Sequence, residues 1–238
     1  MAKTATTTPA QVIWYIPNCI GYLRVVFALC SFVLLLVWPD DYRILGIILY
    51  LANFVGDLFD GWAARHFDQC SSFGSVLDMV TDRCGTTGFL YVLGNTATRT
   101  EDASLWLRLV CLGLLLLDIS SHWVQMHSSL ALGVHHKSAD GNREKNILVQ
   151  WFYRYYWFFG YLCVGAECTY VLLYARLQLR RGGSPMVAVQ QLVDVVLALC
   201  IPGCCAKQVV NVAQLASSCY AIAAHDAAER NSLSLIHI

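Results

Sequence analysis

The side chains best suited to chemistry are aspartates in the stretch 57–82, DLFDGWAARHFDQCSSFGSVLDMVTD, whose flanks on both sides are apolar. Asp57 and Asp60 are three residues apart, so they share one face of a helix. Asp78 and Asp82 are four apart and share another. Ionisable groups at membrane depth are costly and mark a functional site. Because four neighbouring carboxylates repel one another, they need positive charge, and ligation by oxygen alone favours Mg²⁺, Mn²⁺ or Ca²⁺ over zinc.

The composition indicates a membrane protein with several spanning helices. Hydrophobic residues make up 57% of the 238 residues, charged residues make up 13%, and the mean hydropathy is +0.52. A soluble domain is nearer a quarter charged. Lys+Arg and Asp+Glu are both 16, so no excess of positive charge points to nucleic acid. The cysteines form no Cys-x-x-Cys pair, which argues against a zinc site.

The apolar runs predict an all-α, polytopic membrane protein with six transmembrane helices and a short N-terminal amphipathic segment. Residues 1–10 are small and polar and are expected to be disordered, and the amphipathic segment is Gln11–Ile16. The six predicted spans are Pro17–Trp38, Tyr42–Arg65, Gly74–Thr96, Ala103–Ser128, Leu148–Leu173 and one that begins near Met186. Both aspartate pairs then lie at one membrane face, and Asp68 falls in a solvated loop between them. Residues 11–230 form one transmembrane domain, and the tail 231–238 stays unassigned.

The aspartates belong to a longer pattern with fixed gaps, Asp57-x2-Asp60-Gly61-x2-Ala64-Arg65-x8-Gly74-x3-Asp78-x3-Asp82. This pattern resembles the complete signature of the CDP-alcohol phosphotransferases, integral membrane enzymes that make phospholipid head groups. The diphosphate of a CDP-linked lipid adds negative charge to the carboxylates, so two ions, Mg²⁺ or Mn²⁺, are expected. The candidate metal ligands are Asp57, Asp60, Asp78 and Asp82. By its position Asp82 can either complete the metal shell or act as general base, and the resemblance implies the base.

The remaining motif residues are candidates for binding the donor, which the resemblance implies is CDP-diacylglycerol. Small residues at Gly61, Ala64 and Gly74 permit either close helix packing or space for cytidine and its phosphates, and the motif favours the nucleotide. Arg65 is either a snorkelling anchor or a phosphate contact, and the motif favours the phosphate. Asn18 and Arg24 resemble a Pro-Asn and a following Arg that the family often carries in its first helix, and they join the donor site.

Outside the motif, the chain resembles the eukaryotic branch of this family that uses inositol. The resemblance is carried by the segments Pro17-Asn18…Arg24, Ser121-His122-Trp123 and His136-Lys137. It implies myo-inositol as acceptor, CMP as product, a homodimer, and an endoplasmic reticulum location with the active site facing the cytosol. Candidate partners for the inositol hydroxyls are Asp118, His122, His127, Lys137 and Arg154. Each can equally serve as an inter-helix hydrogen bond or an interfacial charge.

Two other functions remain open. A member of the same family can use glycerol phosphate or serine, although a phosphorylated acceptor needs additional basic residues. A non-catalytic ion channel or transporter is the second, but channels spread charges along a path, whereas these aspartates cluster at one end of their helices. Glu167 and Asp194 are the residues that would extend such a path.

Overall fold

The structure, a computed structural model, describes residues 7–98, 105–131, 156–181 and 187–236, and every regular element within these ranges is a helix. The seven helices in these ranges are α1 (Pro9–Ile13), α2 (Ile16–Val37), α3 (Arg43–His66), α4 (Ser72–Ala97), α5 (Leu105–Ala131), α6 (Tyr156–Arg181) and α7 (Val187–Ile236). The all-α prediction is therefore confirmed. The chain divides into two compact units, Met1–Thr96 and Ala97–Ile238.

Five of the helices, α2, α3, α5, α6 and α7, are long and apolar enough to cross a membrane. The helix α4 has 26 residues but is less apolar than these five, and it carries Asp78, Asp82 and Arg83 in its first half. A multi-pass membrane protein is thus supported, and the sixth span stays a prediction.

The distribution of side chains is that of a protein surrounded by lipid. Large apolar residues such as Ile44, Leu130 and Leu199 are exposed, whereas Arg24 and Gln214 are among the most deeply buried side chains. In water this arrangement would be unfavourable, because apolar surface is exposed and polar groups are buried. In a bilayer the apolar surface meets acyl chains, and polar groups find partners between the helices.

A short N-terminal helix is fastened to the start of α2. Thr8 caps α1 through a reciprocal capping box with Gln11, so α1 begins inside the stretch that the sequence predicts to be disordered. The Asn18 side chain donates to the carbonyl of Val12 (2.6 Å), and the Tyr22 hydroxyl donates to the carbonyl of Ile13 (3.1 Å). These bonds hold α1 against the first turns of α2.

The turn between α3 and α4 holds the two aspartate-bearing helices in place. Asp68 adopts a left-handed backbone conformation (φ 52°), which lets Gln69 N donate to the carbonyl of Ala64 (2.9 Å) and ends α3. The Gln69 side chain then accepts a hydrogen bond from the backbone N–H of Ile16 (2.8 Å). Asp68 is exposed, as predicted. The turn therefore also contacts the start of α2.

In the second unit, α7 packs against both α5 and α6. The helices α6 and α7 approach closely where Gly165 faces Gly203: a Cβ at Gly165 would lie 3.4 Å from the Cα of Gly203. The helix α7 continues through Pro202 and past Arg230. Its 50 residues extend about 75 Å, more than twice the length needed to cross the hydrocarbon core.

Candidate active site

Three helices of the first unit bring four carboxylates around one buried guanidinium group. Nη1 of Arg24, on α2, donates to Asp60 (2.5 Å) and lies 3.3 Å from oxygens of both Asp57 and Asp78. Nη2 of Arg24 donates to Asp82 (2.5 Å). We call these four carboxylates the aspartate cluster. The sequence predicts that they lie together, and the structure confirms this for all four.

Three members of the cluster lie close enough together that they could hold a metal ion. One carboxylate oxygen from each of Asp57, Asp60 and Asp78 lies within 4.8 Å of the others. Side-chain exposure falls from 36% at Asp57 to 9% at Asp60, so the group is accessible on one side and enclosed on the other. These oxygens suit a hard divalent cation. The fourth carboxylate, Asp82, lies outside this group of three and joins the cluster through Arg24.

Arg24 reaches the cluster because α3 has no side chain at Gly56. A Cβ at that position would lie 2.8 Å from Cγ and 3.2 Å from Cδ of Arg24, closer than real side chains pack. The Nε–H of Arg24 donates to the carbonyl of Asn53 (3.1 Å). Packing and this bond together fix the direction of the guanidinium group, whose side chain is only 2% exposed. From the sequence alone, Arg24 is predicted to contact the donor lipid, and Gly56 is not recognised as important although it directly precedes Asp57.

The three small residues of the motif differ in their surroundings. At Gly74 a Cβ would lie 2.9 Å from Oδ1 of Asn18, so close packing accounts for this glycine. At Gly61 it would meet only the guanidinium of Arg65, at the ordinary distance of 3.6 Å. Ala64 is half-buried. Gly61 and Arg65 therefore border open space within the described part of the first unit, whereas Gly74 does not.

Asn18, a predicted donor contact, is a buried residue that supports the fold. It is 1% exposed and donates to the carbonyl of Val12. Its oxygen faces Gly74 of α4. Asn18 thus links α1, α2 and α4, and its contact with the donor stays a prediction.

Of the five predicted inositol contacts, the structure brings two together. Asp118 is buried on α5. Nδ1 of His122 lies 2.9 Å from the backbone carbonyl oxygen of Asp118 and 3.7 Å from the Asp118 carboxylate. His127 is on the same helix but exposed. Lys137 and Arg154 lie outside the described residues.

A buried polar face on α7 is the main feature that the sequence analysis misses. Lys207, Asn211, Gln214 and Ser218 recur at helical spacing and are all buried. Gln214 donates to the carbonyl of Ser121 on α5 (3.4 Å), and Ser218 donates to Gln125 (2.8 Å). The signal is present in the sequence as polar residues three or four apart in an apolar helix.

The two acidic residues that would extend an ion path have separate surroundings in the second unit. Glu167 is buried on α6, whereas Asp194 is exposed on α7 and pairs with Nε of Arg176 (2.6 Å). Asp194 lines a small surface pocket with basic neighbours, among them Arg180. Its position is that of a surface ion pair.

Comparison with known proteins places these observations in one family. The family model described as CDP-alcohol phosphatidyltransferase matches residues 14–177. The chain is 36% identical to the probable CDP-diacylglycerol–inositol 3-phosphatidyltransferase 2 of Arabidopsis thaliana, covering 90% of this chain and 92% of that protein. It is 34% identical to the human CDP-diacylglycerol–inositol 3-phosphatidyltransferase (91% and 94%) and 35% identical to that of Saccharomyces cerevisiae (94% and 93%). No solved structure matches the chain.

Proposed function

The chain belongs to the CDP-alcohol phosphatidyltransferase family, and from this premise we propose that it synthesises phosphatidylinositol from CDP-diacylglycerol and myo-inositol. The inositol hydroxyl oxygen attacks the phosphorus that carries diacylglycerol. The bond from this phosphorus to the bridging oxygen breaks, and CMP leaves with that oxygen. The hydroxyl proton passes to a carboxylate. The observation that carries this proposal is the aspartate cluster, in which four carboxylates from two helices of the signature meet at one point.

The cluster is suited to binding divalent cations and, through them, a diphosphate. Asp57, Asp60 and Asp78 would hold the metal, and the proposed ions are two of Mg²⁺ or Mn²⁺. Bound there, the ions would neutralise phosphate charge and stabilise the charge that develops on the leaving phosphate. Asp57 is the most exposed ligand, so the donor phosphates would approach from its side.

Asp82 is the proposed general base. Arg24 holds its Oδ1 at 2.5 Å, which fixes the orientation of the carboxylate. Its Oδ2 lies 3.6 Å from Arg83, beyond hydrogen-bond distance. Asp82 also lies outside the group of three ligands. An oriented carboxylate beside a metal site is suitably placed to accept a proton from an attacking hydroxyl.

The open space at Gly61 supports its assignment to the nucleotide. Arg65 borders the same space, and its planar guanidinium suits phosphate oxygens. The proposed donor site also includes Ala64, Gly74, Asn18 and Arg24. Of these, Gly74, Asn18 and Arg24 shape the site through their packing. Proposed inositol contacts are Asp118, His122, His127, Lys137 and Arg154.

The proposed location is the endoplasmic reticulum membrane, with the aspartate cluster facing the cytosol, as the family resemblance implies. A homodimer is part of the proposal on the resemblance alone. The proposed reaction depends on neither the membrane location nor the homodimer.

The decisive experiment measures incorporation of radiolabelled inositol into chloroform-soluble lipid. Membranes containing the protein receive CDP-diacylglycerol and Mg²⁺ or Mn²⁺, beside membranes containing Asp82→Asn at equal abundance. We expect metal-dependent labelling with the natural chain and none with the variant. Asp68→Asn is the matched control, because Asp68 is an exposed residue of the turn, and it should retain activity.

The alternatives correspond to distinct outcomes. Label from glycerol phosphate or serine, but not inositol, would retain the family and exclude inositol as acceptor. Absence of transfer to any acceptor, from protein shown to be folded, would contradict an enzymatic role and favour ion binding or transport.

A further inference from the structure

Arg24 contacts the same three carboxylates that could hold a metal ion. Its Nη1 lies within 3.3 Å of Oδ1 of Asp57, Oδ2 of Asp60 and Oδ1 of Asp78. One oxygen from each of these residues lies within 4.8 Å of the others. A guanidinium nitrogen and a divalent cation at the centre of this group would occupy overlapping space, since metal–oxygen distances are about 2.0–2.6 Å.

The charge of Arg24 matters as well as its position. Four carboxylates with one arginine leave a net charge of −3 if all are ionised, and burial makes an uncompensated charge costly. A cation that joins this cluster is attracted by the carboxylates and repelled by the guanidinium. Two like charges a few ångströms apart repel each other more strongly in a partly buried site than in water, because the surroundings screen them less.

We propose that Arg24 is a resident counter-ion that competes with divalent metal for Asp57, Asp60 and Asp78, so that metal binding displaces its guanidinium group from these oxygens. Arg24 is then a positioning residue that keeps the cluster assembled and weakens its metal affinity. This inference rests on the proposed function only in taking the aspartate cluster as the metal site. Equilibrium couplings are reciprocal. The factor by which the Arg24 contacts lower the metal affinity therefore equals the factor by which bound metal disfavours those contacts.

Gly56 is part of this arrangement. It gives the Arg24 stem the room to lie along α3, and a Cβ there would overlap Cγ of Arg24. Gly56→Ala therefore keeps the charge but changes the position of the guanidinium. Arg24→Lys keeps the charge but loses the fork, since a single ammonium cannot contact all four carboxylates as the two Nη atoms do.

The test measures Mn²⁺ affinity of the purified full-length protein in detergent by the loss of the free-ion paramagnetic resonance signal, without lipid substrate. We expect Arg24→Met to bind Mn²⁺ about tenfold more tightly or better, because the competing charge is gone. Gly56→Ala should change the affinity in the same direction by a smaller factor. Arg43→Met is the matched control: Arg43 begins α3, about 20 Å along the axis from Asp57, and its loss should leave the affinity unchanged.

Thermal melting with and without Mn²⁺ covers the case in which Arg24→Met folds poorly. A variant that melts lower than the natural chain without Mn²⁺, and is restored by it, supports the exchange, because metal then replaces the missing charge. The proposal is overturned if Arg24→Met and Gly56→Ala bind Mn²⁺ more weakly than the natural chain or equally well. If Arg24→Met is unfolded both with and without metal, an unaltered Mn²⁺ affinity of Arg24→Lys overturns it. These measurements need no enzymatic turnover. Competition between Arg24 and metal can therefore be disproved while inositol transfer is retained, and it can be confirmed in a protein that does not transfer inositol.

Discussion

Gly61 and Gly74 occupy the same motif, yet the structure gives them different neighbours. Close contact with Asn18 explains Gly74, whereas among the described residues a Cβ at Gly61 would meet only Arg65. A motif read from sequence records which positions are small but not the reason. The two glycines therefore separate a substrate requirement from a packing requirement.

Gly61→Ala should impair the reaction without impairing the fold. Alanine raises helix propensity by about 1 kcal/mol, and among the described residues the new methyl group would meet only the Arg65 guanidinium, at an ordinary contact distance of 3.6 Å. If cytidine or its phosphates use this space, the added methyl should lower kcat/KM for CDP-diacylglycerol about 10- to 200-fold. Steady-state kinetics with varied donor, beside a melting curve, would measure both effects. An enzyme with unchanged kcat/KM would exclude the nucleotide from this position.

Gly74→Ala should show the opposite balance. Its Cβ would lie 2.9 Å from Oδ1 of Asn18, so α4 or the Asn18 side chain must shift. Overpacking of this kind costs about 1–3 kcal/mol, and we expect a lower melting temperature in detergent. Loss of activity should follow loss of folded protein. A variant as stable as the natural chain would show that Asn18 and α4 do not pack as described.

At the scale of elements, the sequence predicts α2 to α5 closely but misplaces the end of the fifth span, because α6 continues to Arg181 instead of ending at Leu173. It predicts the contacts between helices poorly. Apolar runs place α2 to within one residue at each end, because length and composition suffice for a span. The buried face of α7 is not predicted, since residues such as Gln214 and Ser218 acquire a role only through the helix packed against them. Arg24 shows the same limit: the sequence identifies it as functional, but only the structure reveals its four carboxylate partners.

The bond between Ser218 of α7 and Gln125 of α5 should contribute measurably but modestly to stability. Both residues are buried, and the hydroxyl donates to the amide oxygen at 2.8 Å. Hydrogen bonds between membrane helices average about 0.6 kcal/mol in double-mutant cycles, with a maximum near 1.7. A cycle of Ser218→Ala, Gln125→Ala and the double variant, followed by denaturant unfolding in micelles, should give a coupling energy in this range. Strict additivity would show that the two helices do not rely on this bond.

At the scale of the whole molecule, α4 decides how the chain is threaded through the membrane. Its 26 residues extend about 39 Å, enough to cross a hydrocarbon core of about 30 Å. Its charged residues make it less apolar than the five qualifying helices, but Asp78 and Asp82 both contact Arg24 of α2. Ionisable groups are tolerated within a bilayer when they face the bundle interior and pair there. Charge pairing within the first unit therefore supports α4 as a sixth span, although α4 is less apolar than the other five helices.

Six spans place the two termini on the same side of the membrane, and five place them on opposite sides. We therefore expect epitope tags before residue 1 and after residue 238 to have the same protease sensitivity in sealed microsomes. With the cluster facing the cytosol, both tags should be digested without detergent, while a soluble lumenal protein stays protected until detergent is added. If one tag is protected and the other is digested, the chain has an odd number of spans and α4 does not cross the membrane. The carboxylates of α3 and α4 would then have to meet Arg24 without α4 crossing the bilayer.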